Sequence, residues 1–206
     1  LRNEVSDPVL AAVRAAAADH EIWVHLGSLP LAQQRDDGRL VNRGFLIDDQ
    51  GVIRARYDKI HLFDVDLPTG ESWRESAAYA GGTRGVVAET PIGMMGLSIC
   101  YDLRFPDLYR ALSNAGATIL SIPAAFTVPT GEAHWHVLLR ARAIEAGVFV
   151  VAAAQTGRHE DGRETYGHSL VLDPWGKVLL DMGTEPGLGF ADIDPAEVET
   201  VRERLP

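Results

Sequence analysis

The stretch from Gly93 to Arg110 limits the possible folds of this chain more than any other part of it. It begins with closely spaced apolar residues, typical of a strand that is buried on both faces: Met94, Met95, Leu97 and Ile99. Pro106 fits the first turn of a following helix, where its missing N–H costs little. The pattern predicts a strand, a sharp turn and a helix.

Cys100 is the only cysteine in the chain, and it lies where the apolar strand gives way to the helix. The free N–H groups and partial positive charge at a helix N-terminus would stabilise a thiolate and an oxyanion. A single cysteine is also commonly a buried structural residue. Position alone therefore leaves two interpretations of Cys100, a nucleophile and a core residue.

Composition narrows the class of protein. The chain has 206 residues, enough for one domain with a sizeable core. Its net charge of −10 argues against nucleic acid or an anionic membrane as a partner. A single cysteine forms no intrachain disulfide and fits a reducing compartment, and no apolar run reaches the ~18 residues of a membrane span. We predict a cytoplasmic protein with a small-molecule substrate.

Strands and helices alternate between Ile92 and Ala154, and hairpins flank this region on both sides. This order predicts a single α/β domain with a mixed sheet over residues 1–206. Helices are predicted from Pro8 and over 105–114, 132–146 and 195–205. Strands are predicted over 21–27, 42–48, 52–57, 85–89, 92–99, 118–122, 148–154, 166–172, 177–182 and 188–193, and loops over 58–82, 124–131 and 158–164.

The seven histidines do not form a metal-binding motif in the sequence. His134 and His136 are two positions apart on a predicted helix, so they point to different faces. No Cys/His cluster has the spacing of a zinc site, and no glycine-rich phosphate loop follows a strand. We therefore predict no metal site and no cofactor.

Lys59 and Glu75 are the other candidates for chemistry. Lys59 follows a predicted strand, where a fixed positive charge could stabilise an oxyanion. Glu75 lies inside the long loop over 58–82. Taken alone, each residue is better explained as a solvated surface side chain.

Four segments together resemble the nitrilase superfamily, the carbon–nitrogen hydrolases. They are YDKIHLF from Tyr57, SICYDLRFP from Ser98, HWHVLLRARAIEAG from His134 and GHSLVLDPWG from Gly167. Lys59 precedes Cys100 by 41 residues and Glu75 by 16, which fits the spacing of that family. The motifs KIHLFDVD, RES, CYDLRFP and LLRARAIE are most similar to the omega-amidase and deaminated-glutathione amidase branch.

The resemblance implies a nitrilase-like α-β-β-α sandwich and a cofactor-free amidase. Cys100 would be the nucleophile, and Lys59 and the backbone N–H of Tyr101 would stabilise the oxyanion. Glu75 would position the substrate and the lysine. The substrate would be a small carboxylate-bearing amide, such as the omega-amide of a 2-oxo acid or deaminated glutathione. A thioester would form, and ammonia or an amine would leave.

The resemblance does not supply a general base. The family's catalytic glutamate ends a strand upstream of the lysine, whereas the upstream glutamates here, Glu4 and Glu21, do not. We expect that the chain is N-terminally incomplete and lacks the first strand–helix–strand unit of the family. We therefore expect the 206 residues alone to have no amidase activity or a very slow turnover. The alternatives are a nitrile or carbamoyl hydrolase of the same superfamily and a non-catalytic member.

Substrate contacts are expected beyond the end of a predicted strand, where ligands bind in open α/β sheets. The candidates are Phe126, Thr127, His134 and Trp135. Packing of Trp135 in the core is an equal alternative. Arg104 would bind a substrate carboxylate or form a structural ion pair, and Arg140 and Arg142 would pair with acids such as Glu145 or lie at a subunit contact. The resemblance also implies a homodimer or higher homo-oligomer, with the helix over 132–146 as a candidate surface.

Overall fold

The computed structural model describes residues 2–33, 36–66, 70 and 72–205. The chain divides into two compact units, Leu1–Val86 and Val87–Pro206. The prediction of one domain over the whole chain stays a prediction.

The first unit opens with helix α1 (Pro8–Asp19), which begins where the sequence predicts. The Asp7 carboxylate accepts a hydrogen bond from the Leu10 N–H at 2.9 Å, and Pro8 occupies the first helical turn. Leu10 and Ala17 are buried against the neighbouring sheet residues Leu31, Val41, Phe45 and Ile47. The helix is therefore fixed by its cap at one end and by apolar packing along its length.

Strands β1 (Val24–Ala32), β2 (Leu40–Ile47) and β3 (Ile53–Asp58) form an antiparallel sheet in this unit. The predicted hairpin of β2 and β3 is confirmed. β1 starts three residues later than predicted and continues five residues further, to Ala32. Its pairing with β2 includes an irregularity between Leu26 and Leu29, which a period-two pattern does not reveal.

The prediction of a loop over 58–82 is wrong in part. β4 (Asp64–Asp66) pairs antiparallel with β5 (Ser72–Arg74), and a 3-10 helix, Glu75–Ala77, follows. Polar cross-strand contacts accompany this pairing: the Asp66 carboxylate accepts hydrogen bonds from Ser72 at 2.7 Å and Arg74 at 2.9 Å. Hydrophobic periodicity cannot predict such a hairpin. Residues 67–69 and 71 of this segment lie outside the described residues.

The second unit contains most of β6 (Val86–Thr90), followed by β7 (Gly93–Leu97), β8 (Ile119–Ser121), β9 (Phe149–Ala152), β10 (Thr156–Arg158), β11 (Glu164–Tyr166), β12 (Leu170–Leu172) and β13 (Val178–Asp181). Within the described residues, six of these strands form one sheet in the order β13-β12-β9-β8-β7-β6. β7, β8 and β9 are parallel, whereas β12 is antiparallel to both β9 and β13. This confirms the predicted mixed sheet.

Three helices of this unit are described: α2 (Pro106–Asn114), α3 (Val128–Ala146) and α4 (Ala196–Arg204). The prediction of a loop over 124–131 is wrong for its last four residues, because α3 already begins at Val128. Pro129 lies in the first turn of α3, where a proline is tolerated. In the described part of the chain, no helix is both long enough and apolar enough to cross a membrane.

The strand predicted over 188–193 is wrong. These residues join none of the sheets formed by the described chain, and the side chains of Leu188 and Phe190 are 81% and 83% exposed. A single extended segment gains stability as a strand only when another strand pairs with it. The apolar residues are present here, but the pairing is not.

Candidate active site

Cys100 lies directly beyond β7 and opens a 3-10 helix, Cys100–Arg104. Its φ angle is +52°, in the left-handed region that residues with a side chain rarely adopt. Its N–H donates to the Pro123 carbonyl at 2.9 Å. The Ser98 N–H donates to the Ser121 carbonyl at 3.1 Å, so pairing beside β8 continues almost to the cysteine. Cys100 therefore occupies a strained turn that its neighbours hold in place.

The turn is closed by the buried carboxylate of Asp102. This carboxylate accepts a hydrogen bond from the Ile99 N–H at 2.9 Å, while the Asp102 N–H donates to the Ile99 carbonyl at 3.1 Å. The arrangement resembles the glutamate half of a helix capping box. It fixes the residue before the cysteine and the second residue after it.

Hydrogen bonds from the buried side chains of Arg142 and Tyr109 also hold the turn in place. The Arg142 guanidinium donates to the Leu103 carbonyl at 2.8 and 3.1 Å and to the Glu145 carboxylate at 2.8 Å. The Tyr109 hydroxyl donates to Ser98 Oγ at 2.9 Å, and burial raises the pKa of Tyr109, which keeps it a neutral donor. The predicted Arg142–Glu145 pair is confirmed. The contact with Leu103 has no signal in the sequence.

Lys59 and Glu75 form an ion pair in the first unit. The Lys59 ammonium lies 2.5 Å from Glu75 Oε2, and this oxygen also accepts the Phe63 N–H at 2.6 Å. Asn42 donates to Glu75 Oε1 at 3.4 Å. Lys59 is only 3% exposed, so the interpretation of Lys59 as a solvated surface residue is wrong.

Glu4 is held by two arginines. Its carboxylate lies 3.0 Å from Arg43 Nη1 and 2.7 Å from Arg56 Nη2. Burial raises the pKa of Glu4, but its hydrogen bonds to Arg56 and Arg43 and their charges outweigh burial and lower the pKa overall. A carboxylate with a lowered pKa is a poor base near neutral pH, in agreement with the sequence argument against Glu4.

The family model for carbon–nitrogen hydrolases matches residues 2–203. The chain belongs to the carbon–nitrogen hydrolase family. It is 44% identical to the deaminated glutathione amidase of Yersinia enterocolitica, over 97% of this chain and 70% of the relative. It is 48% identical to the enzyme of that name from Dictyostelium discoideum, over 92% of this chain and 66% of the relative. These relatives confirm the predicted superfamily and its amidase branch.

Solved structures of the superfamily have the same fold. The crystal structure of the Caenorhabditis elegans NitFhit protein matches 96% of this chain with a TM-score of 0.90 and 46% identity. The chain spans 48% of the NitFhit chain. Saccharomyces cerevisiae Nit3, a member of branch 10 of the nitrilase superfamily, matches 96% of this chain and 69% of its own, with a TM-score of 0.85 and 29% identity. The predicted nitrilase-like fold is confirmed.

The residues predicted to bind substrate have two different environments in this hydrolase. Trp135 is fully buried, packs on Phe126 with ring centroids 4.8 Å apart and donates to the His168 carbonyl at 2.8 Å. Trp135 therefore has the environment of a core residue. Thr127 Oγ1 contacts Thr130 Oγ1 at 2.8 Å.

His134 is exposed and lies beside Arg104, with 3.2 Å between His134 Nδ1 and Arg104 Nη2. The Arg104 guanidinium also lies 5.9 and 5.6 Å from the ring centroids of Tyr101 and Phe126. None of the described contacts of Arg104 is acidic.

Proposed function

We propose that this carbon–nitrogen hydrolase is a cysteine-dependent amidase acting on a small carboxylate-bearing amide. The backbone of Cys100 is the observation that supports this most directly. A strained residue at a strand–helix turn, held by Pro123 and Asp102, is expected where a nucleophile must be presented in one orientation.

The reaction follows from the chemistry of a thiolate. Sulfur attacks the amide carbonyl, and the resulting oxyanion is stabilised by the Lys59 ammonium and the backbone N–H of Tyr101. Removing one such donor typically costs ~10²–10³ in turnover. Ammonia or an amine leaves, a thioester remains on Cys100, and water hydrolyses it. Both steps need a general base, and we do not assign this role to Glu4.

Glu75 has a positioning role in this proposal. Its carboxylate holds the Lys59 ammonium at 2.5 Å and is itself fixed by the Phe63 N–H. A lysine held in one orientation stabilises a developing charge without having to reorganise during the reaction.

For the substrate, we propose the omega-amide of a 2-oxo acid or deaminated glutathione. The names of the amidase relatives support this class, and the non-acidic surroundings of Arg104 suit a substrate carboxylate. We propose that Arg104, with His134, Phe126 and Thr127, contributes to substrate binding.

Ammonia release from the omega-amide of 2-oxoglutarate tests this function in the protein expressed from its complete coding sequence. We expect Cys100→Ala to abolish release and Arg104→Met to raise KM for this acid but not for a neutral amide of similar size. Arg163→Met, which changes an arginine paired with Asp161, is the matched control. Undiminished release by Cys100→Ala would refute the assignment of the nucleophile.

A nitrile or carbamoyl substrate would use the same thioester, and a substrate panel separates these activities from amide hydrolysis. A non-catalytic family member would release no ammonia from any of them.

We also propose that the protein is cytoplasmic. We further propose that it forms a homo-oligomer in which α3 contributes to the contact between subunits. Val137 and Ile144 of this helix are 67% and 52% exposed and lie seven positions apart, so they share one face of the helix. Light scattering tests this point, because Val137→Glu should shift the protein toward the monomer, whereas Glu132→Gln should not.

A further inference from the structure

We propose that His136, His168 and Asp181 form a binding site for a divalent transition-metal ion such as Zn²⁺. The three side chains come from α3, from the segment before β12 and from the end of β13. One ligand atom from each residue lies within 4.8 Å of the others. The site uses none of the residues assigned to amide hydrolysis, so it does not depend on the proposed function.

The Asp181 carboxylate lies between the two imidazoles. Its Oδ2 atom is 3.0 Å from His136 Nε2, and its Oδ1 atom is 2.9 Å from His168 Nδ1. Ligands that share a tetrahedral zinc ion with bonds of about 2.0–2.1 Å lie about 3.3 Å apart. The two spacings that involve Asp181 are thus within a few tenths of an ångström of that required. The two imidazole nitrogens lie within 4.8 Å of each other, so side-chain rotation has to bring them closer before they share one ion.

The backbone holds His168 in an unusual conformation. Its φ angle is +56°, which is uncommon for a residue other than glycine, and its N–H donates to the Gly183 carbonyl at 2.6 Å. Its own carbonyl accepts the indole N–H of the buried Trp135 at 2.8 Å. Strain of this kind persists where surrounding contacts enforce it and is frequent at functional sites. Here it directs a ring nitrogen toward Asp181.

The surroundings favour a cation. Tyr166 stacks on His168 with ring centroids 4.5 Å apart. Among the described residues, the ion pairs of Asp181 are with His136 and His168.

The donor set selects the class of ion. Two imidazole nitrogens and one carboxylate suit zinc and its neighbours in the first transition row, whereas Mg²⁺ and Ca²⁺ prefer oxygen ligands. Three protein ligands leave a position for water. When the ion binds, the proton on each ligating nitrogen moves to the other ring nitrogen or to solvent, so that a lone pair faces the metal.

Isothermal titration of the tag-free, EDTA-dialysed protein with Zn²⁺ tests the site. We expect one ion per chain and a higher Tm in the presence of Zn²⁺. Asp181→Asn, His136→Gln and His168→Asn should each weaken binding about tenfold or more. Asparagine tolerates positive φ and so keeps the backbone at residue 168. His134→Gln, on the same helix but beside Arg104, is the matched control and should bind Zn²⁺ normally.

Three results would overturn the proposal. They are no binding of Zn²⁺, equal affinity in the Asp181→Asn and His134→Gln variants, and binding of Mg²⁺ with the same affinity as Zn²⁺. Circular dichroism of each variant establishes that it is folded, so a loss of binding in a folded variant supports the site.

Discussion

The Lys59 ammonium lies 2.5 Å from the Glu75 carboxylate, and the two side chains are only 4% and 14% exposed. Because water is largely excluded, each charge depends on the other for its stabilisation. The pair therefore serves two purposes in the proposed enzyme. It holds a positive charge in one orientation, and it contributes to the stability of the first unit.

Breaking this pair should destabilise the protein strongly. We expect Glu75→Gln and Lys59→Met each to lower the free energy of unfolding by about 3 kcal/mol, since each leaves a buried charge without its counter-ion. The double variant should lose less than the sum of the two. Urea unfolding of all four proteins measures the coupling, and strictly additive losses would show that the pair does not stabilise the fold.

Asp102 should be needed for the geometry of the turn at Cys100. Asp102→Ala leaves the buried Ile99 N–H without the acceptor it has at 2.9 Å, and we expect a loss of about 1–3 kcal/mol. Asp102→Asn retains an oxygen acceptor and should lose less. Denaturant unfolding gives both values, and equal stability of Asp102→Ala and the unsubstituted protein would contradict this role.

Much of the fold around Cys100 was predictable, because a buried strand and a proline-initiated helix leave clear patterns. The strained φ of Cys100 and its contact with Pro123 were not, since they depend on the neighbouring strand. The start of α3 at Val128 was also missed, because residues 124–131 have no helical apolar period. The segment from Leu188 shows the opposite error, because its apolar residues have no partner strand.

Gly131→Ala should destabilise the protein although alanine favours helices. A Cβ at this position in α3 would lie 2.2–2.6 Å from three atoms of the Tyr166 side chain. With a Cβ this close to three atoms, we expect the forced displacement to cost about 3 kcal/mol. A gain of about 1 kcal/mol in helix propensity offsets part of it, which leaves a net loss of about 2 kcal/mol. Thermal unfolding measures the difference, with the exposed Glu132→Ala as a control. A stabilised Gly131→Ala variant would contradict the packing.

His25 should make stability depend on pH. Burial lowers its pKa to about 4 from an ordinary value of 6.5. Between these values the unfolded chain binds the extra proton and the folded chain does not, so stability is full above pH 6.5 and falls as the pH drops toward 4. We expect the titration of His25 to make the free energy of unfolding about 2 kcal/mol lower at a pH of about 4.5 than at pH 7.

Urea unfolding at these two pH values, in the unsubstituted protein and in His25→Gln, isolates this effect. The variant should lose about 2 kcal/mol less stability on acidification. An identical pH dependence in the two proteins would show that His25 does not titrate in this way.

The candidate sites were predictable to different degrees. The roles of Cys100, Lys59 and Glu75 were predicted from the resemblance to the nitrilase superfamily, and the structure adds an ion pair between Lys59 and Glu75. The prediction of no metal site was based only on the spacing of His and Cys residues along the chain. His136, His168 and Asp181 are brought together by α3 and by the turn regions beside β12 and β13, so no local pattern could have indicated them.

In the proposed reaction, Cys100 forms a thioester with the acyl part of an amide. This step is tested by stopping the reaction with acid during turnover and measuring the mass of the intact protein and of its peptides. We expect an acyl adduct on the peptide that contains Cys100, and no adduct in Cys100→Ala. Steady ammonia release with no adduct at Cys100, even in rapidly quenched single-turnover samples, would contradict it.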